Sequence, residues 1–244
     1  MRQAVILCGG KGSRLSRLTG DLPKGLVRLE AKPILAYQIE ELQRHGIEEV
    51  ILCVGHGADA IRSFGGDGSA WGLRLLYSLE PSPLGTAGPV RAIPYALDPH
   101  FLVIYGDLLF CLDLEKLAQH HEAHQGLATL VLHPSDHPHD SDLVAVDSDF
   151  RITDFLGKPR PDQTFVNLTN AAIYVLDRRI LNAIPEGRAT DFAQDIFPSL
   201  LRRGARLVGY VTNEYCKDIG QEERYWQATR DLYAGRVHTP SCTP

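Results

Sequence analysis

Short apolar runs alternate with stretches of helical period along most of this 244-residue chain. Residues 5–7 open the first run, which breaks into Gly9, Gly10 and Gly12 and ends on the cations Arg14 and Lys24. A buried strand feeding a loop whose backbone approaches a ligand closely, with cations placed to meet phosphate, is the layout of a nucleotide site. Residues 33–45 then carry Ile34, Leu35, Gln38, Ile39 and Leu42 as a mostly apolar i, i+4 stripe. With Pro33 in the first turn and Gly46 as the stop, this predicts a helix. A strand over 50–54, a short helix over 58–64 and an alternating strand over 73–79 come next.

Beyond the punctuated loop at 80–88, Thr86 is positioned to cap a helix reaching about residue 96, shortened or weakened by Gly88, Pro89 and Pro94. Residues 101–105 read as a central strand ending at Gly106 and Asp107, which sets a carboxylate at the carboxyl end of a buried strand. Asp113 caps a predicted helix to 125 with Gly126 as its stop, and 127–132 is another strand. This rhythm predicts an α/β fold on a parallel sheet covered on both faces, whose ligands bind beyond the carboxyl ends of the strands. The second half differs: a polar loop over 133–142, short paired strands over 143–147 and 151–156, and a strand over 171–176 followed by a short helix. That predicts an antiparallel insertion or subdomain forming the other wall of a cleft. A helix over 192–203 ends at Gly204, a strand spans 207–211, and a last helix over 221–233 stops at Gly235. After Arg236 the chain is rich in Pro, Thr and Ser and is expected to fray.

Composition narrows the partners more than the fold. A formal net charge of −5 leaves no broad basic surface for nucleic acid, although a local basic pocket remains compatible with it. No run approaches the length of a membrane span, and the N-terminus enters a strand without a charged leader, so the expectation is a soluble, cytoplasmic protein with no membrane partner. Cys8, Cys53, Cys111, Cys216 and Cys242 are odd in number and lack CxxC spacing, which reads as buried free thiols. The histidine-rich stretch at 133–142 invites a metal reading, but its two prolines and polar residues fit an exposed loop better. His120, His121 and His124 fall on a helix and read as surface residues. Asn167 heads a triplet of glycosylation form with no leader to deliver it.

The opening loop has Leu15 where GxGxxG needs its third glycine, and it lacks the GK[ST] end of a P-loop, which disfavours a dehydrogenase or P-loop enzyme. It matches instead GGxGxRL followed by PK, through Gly9, Gly10, Gly12, Arg14, Leu15, Pro23 and Lys24. This pattern resembles the signature of the sugar-1-phosphate nucleotidylyltransferases. The resemblance continues in order along the chain: the ProLeuGlyThrAlaGly loop at 83–88 is similar to the family's second glycine loop and Asp107 to its strand-end aspartate. Lys158 is similar to the lysine of its EKP motif, residues 170–176 to its NAGIYVL strand, and Asp218 to its late aspartate. The chain departs from the family pattern at Ser13 (threonine), Gly25 (proline), Gly157 (glutamate), Ala172 (glycine) and Lys217 (an aromatic residue).

The resemblance implies a three-layer, Rossmann-like α/β fold with a mainly parallel central sheet and a small antiparallel sugar-side subdomain. It implies one nucleotidyltransferase domain over residues 1–236 and a flexible tail over 237–244. The implied reaction moves a nucleotidyl group from an NTP to a sugar 1-phosphate and releases pyrophosphate, with Mg²⁺ as cofactor. The compact length resembles members acting on heptose or mannose 1-phosphate, and the LeuGlyThrAlaGly loop resembles guanylyltransferases, which makes GTP the expected donor in nucleotide-sugar synthesis for cell-surface glycans. The alternatives are a uridylyltransferase acting on an amino sugar or muramic acid phosphate, and a non-catalytic nucleotide-sugar-binding regulatory protein.

Nucleotidyl transfer requires positioning and charge neutralisation rather than a general base, because the attacking phosphate is already ionised. On that chemistry Arg14 is assigned to the β and γ phosphates, Lys24 to the α-phosphate in the transition state, and Lys158, with Asn170 and Asp107, to the sugar phosphate; Arg14, Lys24 and Asp107 are the expected catalytic residues. Asp107 and Asp218 are hard oxygen donors that together suit one Mg²⁺, with turn or helix-cap roles as the alternative. Leu7, Gly9, Gly10, Gly12 and Ser13 would frame the nucleotide, as would Gly85 and Thr86. Glu80 is either an acceptor for a base amino or imino group or a solvated strand-end carboxylate.

Overall fold

The computed structural model describes residues 1–10, 20, 22–135, 143–157 and 167–237. In chain order its elements are β1 (Gln3–Leu7), β2 (Arg28–Leu29), β3 (Lys32–Pro33), α1 (Ile34–Arg44), β4 (Glu49–Val54), α2 (Ala58–Gly65), β5 (Arg74–Leu79), α3 (Gly88–Arg91), β6 (His100–Tyr105), β7 (Leu108–Cys111) and α4 (Leu114–His124). They continue as β8 (Ala128–His133), β9 (Leu143–Val146), β10 (Ile152–Gly157), β11 (Thr169–Asp177), α5 (Phe197–Arg202), β12 (Leu207–Val211), β13 (Tyr215–Asp218) and α6 (Glu222–Tyr233).

Among the described residues one nine-stranded sheet runs β10-β9-β11-β6-β1-β4-β5, with β8 beside β11 and β12 beside β8. β6, β1, β4 and β5 form the parallel block. β11 joins it antiparallel on β6, so the antiparallel strands of the second half extend the same sheet. Two small antiparallel pairs stand apart, β2 with β3 and β7 with β13. Buried residues cover both faces. Leu35, Ile39, Leu42 and Ile61 from α1 and α2 pack on one, and Phe192, Ile196, Phe197 and Leu200 on the other. β1 lies between these layers with Ala4, Val5 and Ile6 at 0% exposure, which is why its sequence is a continuous apolar run rather than an alternating one.

Several local expectations change. The helix expected from Thr86 shrinks to the four residues of α3, because Pro94 drives its predecessor out of the helical region and the Thr86 hydroxyl is engaged elsewhere. The helix expected over 192–203 is a π-helical turn at Phe192–Ile196 followed by α5; Pro198 has no amide to continue the regular ladder, and Asp191 caps the turn through Ala193 and Gln194 N–H. Asp113 does cap α4, accepting from Lys116 N–H at 3.0 Å, but Gln125 rather than Gly126 takes the left-handed residue at its end (φ +50°). His121 is not a surface residue: it is 2% exposed, with Nδ1 at 2.8 Å from Thr129 Oγ1, because α4 turns this side onto β8. Val237 is buried at 1% among Val27, Leu29 and Ile34; the rest of the expected tail, 238–244, lies outside the described residues. No helix among the described residues is long and apolar enough to cross a membrane.

Candidate active site

Parallel strands ending side by side create the first wall. Leu7, the last residue of β1 and half-buried, pairs with Cys53 and Tyr105 in its neighbours. The chain then passes Gly9 so close to Glu80, just beyond the end of β5, that a Cβ on Gly9 would collide with the Glu80 carboxylate. A side chain at this position would displace the flexible end of Glu80. Burial raises the Glu80 carboxyl above its usual range, and the Leu84 amide donating to Oε2 at 3.3 Å only partly offsets it. The Cys8 thiol is pushed up to about 12 by burial, with Asp107 and Glu80 adding to the effect. It remains a protonated core group and no nucleophile. Cys53 and Cys216 are likewise buried free thiols, and Cys111 is a partly exposed one.

The second wall is a product of long-range pairing. β7 and β13 align antiparallel with Leu108 opposite Asp218, and Ile219 N–H donates to Asp107 O at 2.9 Å. Two aspartates distant in sequence therefore meet. A methyl group on Gly220 would stand 3.1 Å from Asp218 Oδ1, 3.4 Å from Asp107 Oδ2 and 3.4 Å from Lys24 Nζ, so all three side chains converge on one point. Lys24, in the 3₁₀ turn Lys24–Leu26, is ion-paired with Asp107, and Asp218 is ion-paired with Arg224. A cleft of about 730 Å³ opens from this point, lined also by Tyr105, Asn170, Ala172 and Lys217.

Asn170 stabilises the backbone of the cleft lining: Oδ1 accepts from Ala172 N–H and Nδ2 donates to the Tyr174 hydroxyl, both at 2.9 Å. β11 shifts register between Asn170 and Tyr174, and Ala172 sits there at φ +57°. That conformation accounts for the glycine of the family pattern and leaves alanine strained. Gly85 (φ +78°) packs on Thr190, whose carbonyl accepts from the Thr86 and Ala87 amides at 3.1 and 2.9 Å. The Thr86 hydroxyl donates to Asp191 Oδ2 at 2.8 Å and accepts from Phe192 N–H at 2.9 Å. The second glycine loop is thus held by bonds to the segment 190–192.

Gly12, Ser13, Arg14 and Lys158 lie outside the described residues. Sequence reasoning missed Arg224. Its signal was an arginine in the first turn of a helix, where the macrodipole disfavours a cation unless a carboxylate such as Asp218 faces it. No cluster of three His, Cys, Asp or Glu able to hold a metal occurs among the described residues; Asp107 and Asp218 form a two-carboxylate donor set.

Comparison with known proteins agrees with this geometry. The family model described as Nucleotidyl transferase matches residues 3–235. The chain is 33% identical over 240 residues to a mannose-1-phosphate guanylyltransferase of Mycobacterium tuberculosis, covering 98% of this chain and 66% of that protein. It is 29% identical to a UTP–glucose-1-phosphate uridylyltransferase of Synechocystis, covering 96% and 64%. The chain therefore spans just under two thirds of the length of these curated relatives. Among solved structures, HddC from Yersinia pseudotuberculosis superposes with a TM-score of 0.81 at 27% identity, covering 95% of this chain and 100% of that one. HddC complexed with GMP-PN gives 0.80. A parallel block, a convergent Lys–Asp–Asp site and a match over almost the whole length lead to one conclusion: this chain belongs to the nucleotidyl transferase family.

Proposed function

We propose that the chain transfers a guanylyl group from GTP to a sugar 1-phosphate of the mannose or heptose type, giving a GDP-sugar and pyrophosphate. The convergence of Lys24, Asp107 and Asp218 beyond the ends of the parallel strands carries this reading. An oxygen of the sugar phosphate attacks the α-phosphorus, the bond from that phosphorus to the bridging oxygen breaks, and pyrophosphate leaves with the electron pair. Lys24 shields charge growing on the α-phosphate, Arg14 holds the β and γ phosphates, and Lys158 and Asn170 take the acceptor side. Leu7, Gly9, Gly10, Gly12 and Ser13 frame the nucleotide, with Gly85 and Thr86 closing the other side. The donor set suits Mg²⁺: two carboxylates near one point leave positions for water and phosphate. When bound to Asp107 and Asp218, Mg²⁺ would neutralise phosphate charge and orient phosphate oxygens. Lys24 and Arg224 are ion-paired with the same carboxylates.

Guanine is favoured over other bases by Glu80, a partly buried acceptor at Gly9. Guanine presents both an imino and an amino donor to such a group. The guanylyltransferase relative and the neighbour complexed with GMP-PN support the same donor. UTP is the second reading, favoured by the uridylyltransferase relative. Incubation with each NTP, Mg²⁺ and mannose, heptose, glucose or amino-sugar 1-phosphates, read by pyrophosphate release, tests the assignment. Release with GTP and a mannose or heptose phosphate is expected. Nucleotide-sugar binding without release from any pair would make the chain a regulatory binder instead.

A further inference from the structure

Among the described residues, Gln38 Oε1 is the buried side-chain nitrogen or oxygen atom that has no hydrogen-bond partner. The residue lies in the middle of α1 at 1% exposure, on the face turned to the core, where an apolar side chain would be the ordinary choice. Its amide nitrogen explains its presence. Nε2 donates to Tyr105 O at 2.9 Å and to Leu108 O at 2.8 Å, the carbonyls that flank Gly106 and Asp107. Two hydrogens from one side chain thus hold both ends of the turn that presents Asp107. Gly106 N–H to Leu7 O at 3.0 Å and Ile219 N–H to Asp107 O at 2.9 Å complete its attachment. Two carbonyls facing Nε2 also fix the amide orientation, since a reversed amide would set oxygen against both. A buried, unpaired acceptor costs about 1–3 kcal/mol, a cost that an isosteric methionine would avoid.

We infer that Gln38 is a positioning residue for the reaction: it fixes the Tyr105–Leu108 turn so that the Asp107 carboxylate stays at the point shared with Asp218 and Lys24. The inference rests on the role of Asp107 given under Proposed function. It goes beyond that reading by assigning a share of metal affinity and turnover to a helix residue that touches no substrate. Residues that orient a metal-binding side chain through one further bond commonly contribute about 10–100-fold to affinity or activity.

Gln38→Met keeps the volume and removes both donors; Gln38→Glu keeps the shape and sets a carboxylate against the two carbonyls. Each is expected to lower kcat about 10-fold or more, with the KM for nucleotide within about threefold, and to weaken Mn²⁺ binding to the substrate-free protein about 10-fold. Mn²⁺ is read by water proton relaxation with Asp107→Asn as the blank. Leu42→Ala, a core truncation on the same helix, is the control that loses stability while keeping kcat and Mn²⁺ affinity. If Gln38→Met does not fold, Gln38→Glu carries the test. Unchanged kcat and Mn²⁺ affinity in a Gln38 variant, with or without lost thermal stability, would overturn the inference and leave Gln38 a packing role. If the wild-type protein releases no pyrophosphate with any substrate pair, the proposed function fails, and the Mn²⁺ measurement still decides Gln38.

Discussion

The two halves of the candidate site are built differently. In the half proposed for the nucleotide, Leu7, Gly9 and Glu80 stand at or just beyond the ends of parallel strands, so each is positioned by the strand that precedes it. In the half proposed for the acceptor, Asp218 owes its position to β13 pairing with β7, and Asn170 is committed to a bulge in β11. The first half is a local consequence of strand ends; the second is a consequence of contacts between distant segments. Substitutions in the first half should act on nucleotide affinity, and those at the junction of the two on turnover.

The largest expected effects test that junction. Asp107→Asn and Asp218→Asn should each lower pyrophosphate release about 100-fold or more, and the double variant should lose little beyond either single one, because groups acting as a unit are not additive. Fully additive losses in that cycle would separate the two aspartates. Lys24→Ala should follow, cutting kcat much more than nucleotide affinity. Equal losses of both, by steady-state kinetics and direct titration of GTP, would remove its assignment to the α-phosphate.

Gly9→Ala, in the half proposed for the nucleotide, would push the Glu80 carboxylate out of its place. It should raise the KM for nucleotide about 10-fold while sparing the melting temperature more than a core truncation does. An unchanged KM would detach Gly9 from the nucleotide.

Acid should weaken the fold through His121. Burial holds the His121 imidazole, between α4 and β8, down to about 4 from an ordinary 6.5; the neighbouring His100 adds to this and Asp177 opposes it. Between these values the unfolded chain takes up a proton that the folded chain resists, so stability is flat above pH 6.5 and falls as pH drops towards 4. Thermal unfolding across this range should show the loss, and His121→Gln should flatten it. The smallest effect belongs to Ala172→Gly, which relieves the left-handed residue in β11. Stabilisation of about 0.5–1 kcal/mol is expected, net of glycine's extra unfolded-state entropy. A lower melting temperature would show that the alanine methyl contributes more in packing than its backbone loses.

Much of this was legible from residue order alone. The apolar runs at β1, β4 and β6 and the glycine break after β1 identify a parallel sheet and its ligand-binding end, because strand period and backbone sterics act over a few residues. The departure at Ala172 was visible as a mismatch in pattern, but its meaning, a residue held at positive φ, needed the backbone. β7 and β13 were not legible as strands. Leu108–Cys111 and Tyr215–Asp218 are four residues each, and what makes them strands is a pairing between distant segments that no local period encodes. His121 was read as a surface residue because helical spacing does not say which neighbour an element will meet.

The sequence by itself therefore determined the strand-end glycine loop, the types of charged group available and the family to which they point, since these follow from local sterics and from motif order. Only the tertiary structure decided that Lys24, Asp107 and Asp218 share one point, that Glu80 faces Gly9, and that Gln38 bonds both sides of the Asp107 turn. Each of those depends on where separate segments pack, and packing is set by the whole core at once.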